Sequence, residues 1–342
     1  MSAAVPSPSV FRRAGARPAW LLLCAGLLLC ACVLSLTVGA KPIALRVVVE
    51  SLSGISHGTD GVIVLQGRVP RTLLGLMAGS ALGLAGALIQ ALTRNPLADP
   101  GLLGVNAGAS FAMVLCIALF ASTSPAVLLP AAFAGALGAT ALIYLIGTER
   151  GAPADPARFV LAGVALAAVL GGFSSALTLF DAPAFDALRY WAAGSLDVRD
   201  LQRLRWALAP FAAGGLVAAA LARPLNALAL GDTLAQGLGV NPRRLQFAAV
   251  GAIALLCGAA TAVAGPIAFV GLLIPQLARR LAGPDQRWLF AFSALLGPLL
   301  LLLADVLGRV LVAGELRVSI VTAFVGAPVL IALARREYGP AR

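Results

Sequence analysis

The chain has 342 residues, of which 60% are hydrophobic and only 11% charged, against about 45–50% and about 25% in soluble domains. A water-soluble core of this length could not hide so much apolar surface, so lipid is the solvent for most of the chain. Basic residues outnumber acidic ones by 25 to 14, but without a basic stripe interleaved with aromatics. That argues against nucleic acid as a partner and assigns the excess to fixing membrane orientation.

A helix needs about 20 residues to cross roughly 30 Å of hydrocarbon. The first uncharged run, 18–40, follows Arg12, Arg13 and Arg17; its 23 residues span a bilayer, and no clear cleavage site marks it as a signal peptide. Further runs occupy 72–93, 101–148, 159–180, 206–222, 245–278, 288–304 and 318–334. Two are too long for one crossing. The run from 101 divides at Ser122, Thr123, Ser124 and Pro125, and the run from 245 divides at Gly265 and Pro266, where proline removes a donor and breaks the ladder. The pattern predicts an all-α integral membrane protein with ten transmembrane helices. A tail over 1–17 precedes the membrane domain 18–336, and a tail over 337–342 follows it. An even count puts both ends on one side; that side then receives fifteen basic residues and six acids, a net +9 against +2 opposite, so both termini are expected to be cytoplasmic.

The residues that would carry chemistry are few. Cys24, Cys30, Cys32, Cys116 and Cys257 all lie in apolar runs without paired spacing and read as small hydrophobes. His57 is the lone histidine, in the loop after the first span beside Gly58; it reads as a solvated residue, and one histidine builds no metal site. Lys41 is the lone lysine and is followed by Pro42, so no nucleotide-binding GxxxxGK[ST] loop exists. No span carries a charge near its middle, which argues against an ion-coupled carrier. The absence of clustered His, Cys or acids argues against a membrane-embedded enzyme. No cofactor is expected in this chain, and nucleotide-driven work falls to another polypeptide.

Four segments differ from generic lipid-facing sequence. In RVPRTLLGLMAGSALGLAGALIQALTRNPLADPGLLGVNAGA (68–109), Gly75, Gly79, Gly83 and Gly86 allow close backbone approach, with packing inside one subunit as the favoured use. Asn95, Pro96, Asp99, Pro100 and Gly101 form a turn-rich hairpin behind them. In LNALALGDTLAQGLGVNPRR (225–244), residues 227–238 read as a short helix stopped by Gly239. Leu225, Leu228, Leu230, Leu234 and Leu238 give it an apolar surface that suits a partner's groove. The third segment is GPIAFVGLLIPQLARR (265–280). In the fourth, ADVLGRVLVAGELRVSIVTAFVGAP (304–328), Asp305 and Arg309 lie four apart on one helix and can pair.

Together these segments, RNPLADPGLLGV, ALGDTLAQGLGV and GPIAFVG above all, resemble the FecCD-type permeases of iron-siderophore, haem and cobalamin ABC importers, over nearly the whole stretch 68–335. The resemblance implies a type II importer architecture in the cytoplasmic (inner) membrane. Two permease subunits, identical or homologous, would surround a central pathway. They would work with two ATPase subunits that hold ATP and Mg, and with a periplasmic or lipoprotein substrate-binding protein. It further implies that Leu228, Leu230, Gly231, Asp232, Leu234 and Gly239 belong to the element that enters a cleft of the ATPase. Arg68, Arg71 and Arg309 would receive acidic side chains of the binding protein, with interfacial snorkelling as the alternative. Asn95, Pro96, Asp99, Pro100, Gly101, Gly265, Pro266 and Pro275 would form the structural and gating motif. Ser174, Ser175, Thr178, Ser319 and Thr322 are candidates for lining the pathway, although hydrogen bonding to their own helices is an equal reading. Many members of the family carry histidine where Gln276 stands; glutamine cannot titrate, which leaves a hydrogen-bonding or packing role. An iron(III)-siderophore is the expected cargo, with haem or cobalamin open.

Overall fold

The computed structural model describes residues 16–55, 58–147, 156–198, 201–312 and 315–338. Every regular element among them is helical. His57 and most of both expected tails lie outside the described residues, with α1 beginning at Arg17 and the last helix ending at Tyr338.

α1 (Arg17–Thr37) leads from the face at which α1 begins and the last helix ends, here the terminal face, to the opposite one, where α2 (Leu45–Leu52) and α3 (Thr59–Val62) lie. A π-helical stretch, Ile63–Arg68, runs directly into α4 (Val69–Thr93). A 3-10 turn (Pro100–Leu103), α5 (Val105–Phe120), α6 (Pro125–Gly147), α7 (Pro156–Phe180) and α8 (Ala182–Ala192) follow. The chain continues through α9 (Leu201–Leu228), α10 (Asp232–Gly237), α11 (Pro242–Ala264), α12 (Val270–Ala282), α13 (Gln286–Leu311) and α14 (Val318–Tyr338).

Each of the ten expected spans is a helix: α1, α4, α5, α6, α7, α9, α11, α12, α13 and α14. Among the described residues seven helices are long and apolar enough to cross a membrane, while α5 and the apolar part of α14 are shorter. α12 differs most. Its 13 residues rise only about 20 Å, because Gly265 at φ 74° and Phe269 at φ 69° hold the preceding five residues out of the helix. Gly265 and Ile267 in this break are buried, the setting in which non-helical backbone is tolerated at membrane depth.

Side chains set the helix starts. Asp181, Asn241 and Asp285 cap α8, α11 and α13 by accepting hydrogen bonds from the backbone N–H of Ala184, Arg243 and Arg287 at 2.9, 3.1 and 3.0 Å.

α4 and α11 form the centre, each with 72% of its apolar window buried, and α7 the periphery with 11%. The glycine stripe of α4 explains how the centre closes. A Cβ on Gly79 would lie 2.4 Å from the nitrogen of Pro298, and one on Gly86 would lie 1.9 Å from the carbonyl oxygen of Gly271. These glycines therefore pack within one subunit, as the sequence suggests. Gly86→Val is expected to destabilise the protein by about 3 kcal/mol or more, since backbone meets backbone and cannot yield as a side chain does. Gly26→Val is expected to be neutral, since a Cβ there meets nothing within 4 Å. Thermal unfolding of both variants in detergent micelles checks this.

Candidate functional site

On the terminal face, α9 runs on past its uncharged stretch 206–222 and ends at Leu228. The sequence predicts one helix over 227–238, but the structure holds two pieces. Gly231, at φ 110° and ψ 155°, turns the chain in a region open only to glycine, and α10 starts afresh at Asp232. Gly239, at φ 80°, ends α10 as expected, with the N–H of Val240 donating to the Ala235 carbonyl at 2.9 Å.

The five leucines of this segment divide. Leu225 and Leu228 are buried within the chain, so they anchor the turn and do not face a partner; this corrects their expected docking role. Leu230, Leu234 and Leu238, four apart, stay 60–66% exposed and form a ridge on the surface.

Two fixtures hold this ridge to the centre. Arg94, the left-handed cap of α4, donates to the Leu228 carbonyl at 2.8 Å and pairs with Asp232. On the other side Asn226 donates to Asp285 at 2.8 Å and accepts from the N–H of Gln286 at 2.9 Å, tying the end of α9 to the start of α13. Desolvation pushes the Asp285 carboxyl up, but hydrogen bonds from Arg287 and Asn226 outweigh it and hold the pKa down to about 2.

The hairpin after α4 is latched to α12. Asn95 accepts from the Leu97 N–H at 2.9 Å, and Asp99 accepts from the Gly101 N–H at 2.7 Å, which sets the 3-10 turn. Burial nevertheless pushes the Asp99 carboxyl up, against the pull of that N–H. Gln276 donates to the Pro96 carbonyl at 3.0 Å, the hydrogen-bonding role left to it by sequence. Gln90 donates to the Leu272 carbonyl at 3.1 Å, and Pro100 packs on Gly271. On the opposite face Gly265 and Pro266 interlock with Gly194: a Cβ on Gly265 would lie 2.3 Å from the Trp191 carbonyl oxygen, and one on Gly194 the same distance from that of Pro266. Pro275 lies buried inside α12.

The opposite face corrects a second expectation. Arg68, Arg71 and Arg309 are all buried, and each is hydrogen-bonded inside the chain. Arg71 forks onto Asp305 at 2.8–3.0 Å and reaches Glu315 at 2.9 Å. Arg309 pairs with Asp305 at 3.1 Å, as four-residue spacing suggests, and donates to the carbonyls of Ser35 and Val38 at 3.0 Å. Arg68 donates to the Leu36 carbonyl at 2.7 Å and to that of Lys41. These guanidinia clamp α1, α4 and α13 together.

The pathway candidates also separate. Ser174 and Thr322 are buried, and their hydroxyls donate to the backbone of their own helices, at Leu170 and Ser319, as does Thr178 at Ser174 and Ser175. Ser175 is exposed, and Ser319 is half-buried against Gly194. Of the ion-pair network centred on Asp305, only the pair with Arg309 is foreshadowed by spacing; the link to Arg71 and the Arg94 clamp join residues far apart in the chain.

This arrangement is that of a membrane-spanning permease of the ABC importer class. A solved structure described as an inward-facing conformation of a metal-chelate type ABC transporter superposes with a TM-score of 0.81 at 27% identity, covering 94% of this chain and 99% of that one. The chain belongs to the FecCD transport family, whose profile matches residues 27–336. It is 54% identical over 325 residues to the ferric enterobactin transport system permease protein FepD of Escherichia coli (strain K12), covering 95% of this chain and 96% of that protein. It is 36% identical over 312 residues to a siderophore transport system permease protein, YfiZ, of Bacillus subtilis (strain 168), covering 91% and 93%.

Proposed function

We propose that this chain is the permease subunit of an importer that carries a ferric siderophore across the cytoplasmic membrane. It works with a second permease subunit, two ATPase subunits and a substrate-binding protein, and the terminal face is the cytoplasmic one. The observation that carries this reading is the ridge of Leu230, Leu234 and Leu238. It is apolar, exposed, and clamped through Arg94 to α4 and through Asn226 to α13. Seating it in a partner's groove is favourable by about 1.5–3 kcal/mol for each leucine fully buried, and movement of the seat is then transmitted to two central helices.

The ferric cargo is supported by the 54% identity to a ferric enterobactin permease. The hairpin, the α11–α12 break and the exposed Ser175 are the parts we assign to gating and to the pathway. The test replaces Leu230, Leu234 and Leu238 together with Ser. Co-purification with the ATPase subunits is expected to fall at least tenfold, and ATP-driven uptake of radio-iron as ferric enterobactin into proteoliposomes to cease, with the thermal stability of the permease unchanged. Normal ATPase association in the triple variant overturns the assignment. Wild-type uptake of haem but not of ferric enterobactin overturns the cargo.

A further inference from the structure

A cavity of about 740 Å³ opens on the face opposite the leucine ridge, among the ends of α5, α6, α8 and α11. Its volume falls within the range of roughly 300–1,000 Å³ typical of small-molecule sites. Part of the wall is apolar, with Met113, Leu128, Trp191 and Val198. The charges in the wall have unequal freedom. Arg71 is already neutralised by Asp305 and Glu315, and Asp197 sits exposed at the rim. Arg203 and Arg317 are the cations that remain to face an occupant.

Arg317 is held in place before any ligand arrives. It donates one N–H to the Tyr190 carbonyl and lies 5.4 Å from the centre of the Tyr190 ring. A guanidinium has five N–H donors, so this anchoring fixes its position without exhausting its donors, and a fixed donor loses little freedom on binding. Negative charge beside an apolar body is the ligand chemistry that two such cations and an apolar wall recognise.

We propose that this cavity is a binding site, within a single permease subunit, for an anionic metal chelate with an apolar body, held by Arg203 and Arg317. The proposal rests on the importer reading above and on its orientation, which makes this the outer face. A chelate fits better than a protein segment, because the space is of small-molecule size and bounded by apolar side chains on several helices.

The test uses the assembled complex in nanodiscs, without ATP or binding protein, and radio-iron in two synthetic hexadentate probes: a trianionic iron(III) tris-catecholate and a neutral iron(III) tris-hydroxamate. Saturable binding of the trianion is expected, at least tenfold tighter than that of the neutral complex. Arg203→Gln combined with Arg317→Gln is expected to remove that preference, and Arg203→Lys combined with Arg317→Lys to retain most of it. Asp197→Lys, at the exposed rim and so without demand on the core, is expected to tighten trianion binding severalfold.

Unsaturable binding, or equal trianion affinity in the wild type, the Gln pair and Asp197→Lys, overturns the proposal. It is also overturned if the Gln pair weakens only binding-protein docking and leaves chelate binding intact, since the cavity is then a protein socket. Uptake assays on proteoliposomes separate the two levels. ATP-driven uptake of ferric chelate by the wild type with no chelate bound in nanodiscs sinks the cavity alone, whereas absence of any ferric uptake sinks the importer reading.

Discussion

Asp305→Ala is expected to destabilise the permease by about 3–5 kcal/mol, the usual effect of removing one partner from a buried ion pair. Asp305 is fully buried and receives Arg71 on both carboxylate oxygens and Arg309 on one. When it is lost, Arg71 still has Glu315. Arg309 does not fare as well, since only neutral oxygens of Ser35 and Val38 remain to it, and its Nε already lacks an acceptor. The loss is therefore concentrated on Arg309. Adding Arg309→Met to Asp305→Ala is expected to recover about half of it, because the uncompensated charge goes with the side chain. Unfolding titrations in mixed micelles on the two singles and the double complete the cycle. A double variant no more stable than Asp305→Ala would mean that Arg309 is not the residue left stranded.

Asp232→Lys should lower binding-protein-stimulated ATP hydrolysis by the assembled complex at least tenfold, and Arg94→Glu added to it should restore a large part. Both side chains of the pair are about half exposed, so the pair itself contributes at most about 1 kcal/mol to stability. The folded permease is therefore expected to melt unchanged in either variant. What Asp232→Lys removes is the tie between the leucine-bearing turn and the end of α4, replaced by repulsion between two cations four residues past the Leu228 carbonyl that Arg94 also holds. Stimulated hydrolysis at the wild-type level in Asp232→Lys would show that motion reaches the centre by the Asn226 route alone.

The spans were legible because lipid imposes a length and a composition on each. The breaks at 121–124 and at Gly265 were legible too, since proline and glycine act locally. Residues whose role depends on distant partners were not legible. Arg71 and Asp305 are 234 positions apart, and nothing in either neighbourhood tells an arginine that greets another protein from one locked inside. Only the Asp305 and Arg309 pair, separated by one helical turn, could be inferred. The terminal-face helix was misjudged for a related reason. Leu225 and Leu228 have the spacing of a docking face, but α9 continues through them into the protein, and the backbone torsion at Gly231 decides where the surface begins. Ser174 and Thr322 are polar residues in apolar helices, and spacing alone does not say whether such a hydroxyl faces a passage or its own backbone.

At Gly79 and the Gly297–Pro298 backbone, α4 and α13 meet main chain against main chain, with no side chain between them at that crossing. The two can neither slide nor roll past each other without tearing main chain from main chain, so they behave as one spine. Movement passed to either helix from the leucine ridge then displaces the spine as one body, and the looser helices at the rim make up the change of shape.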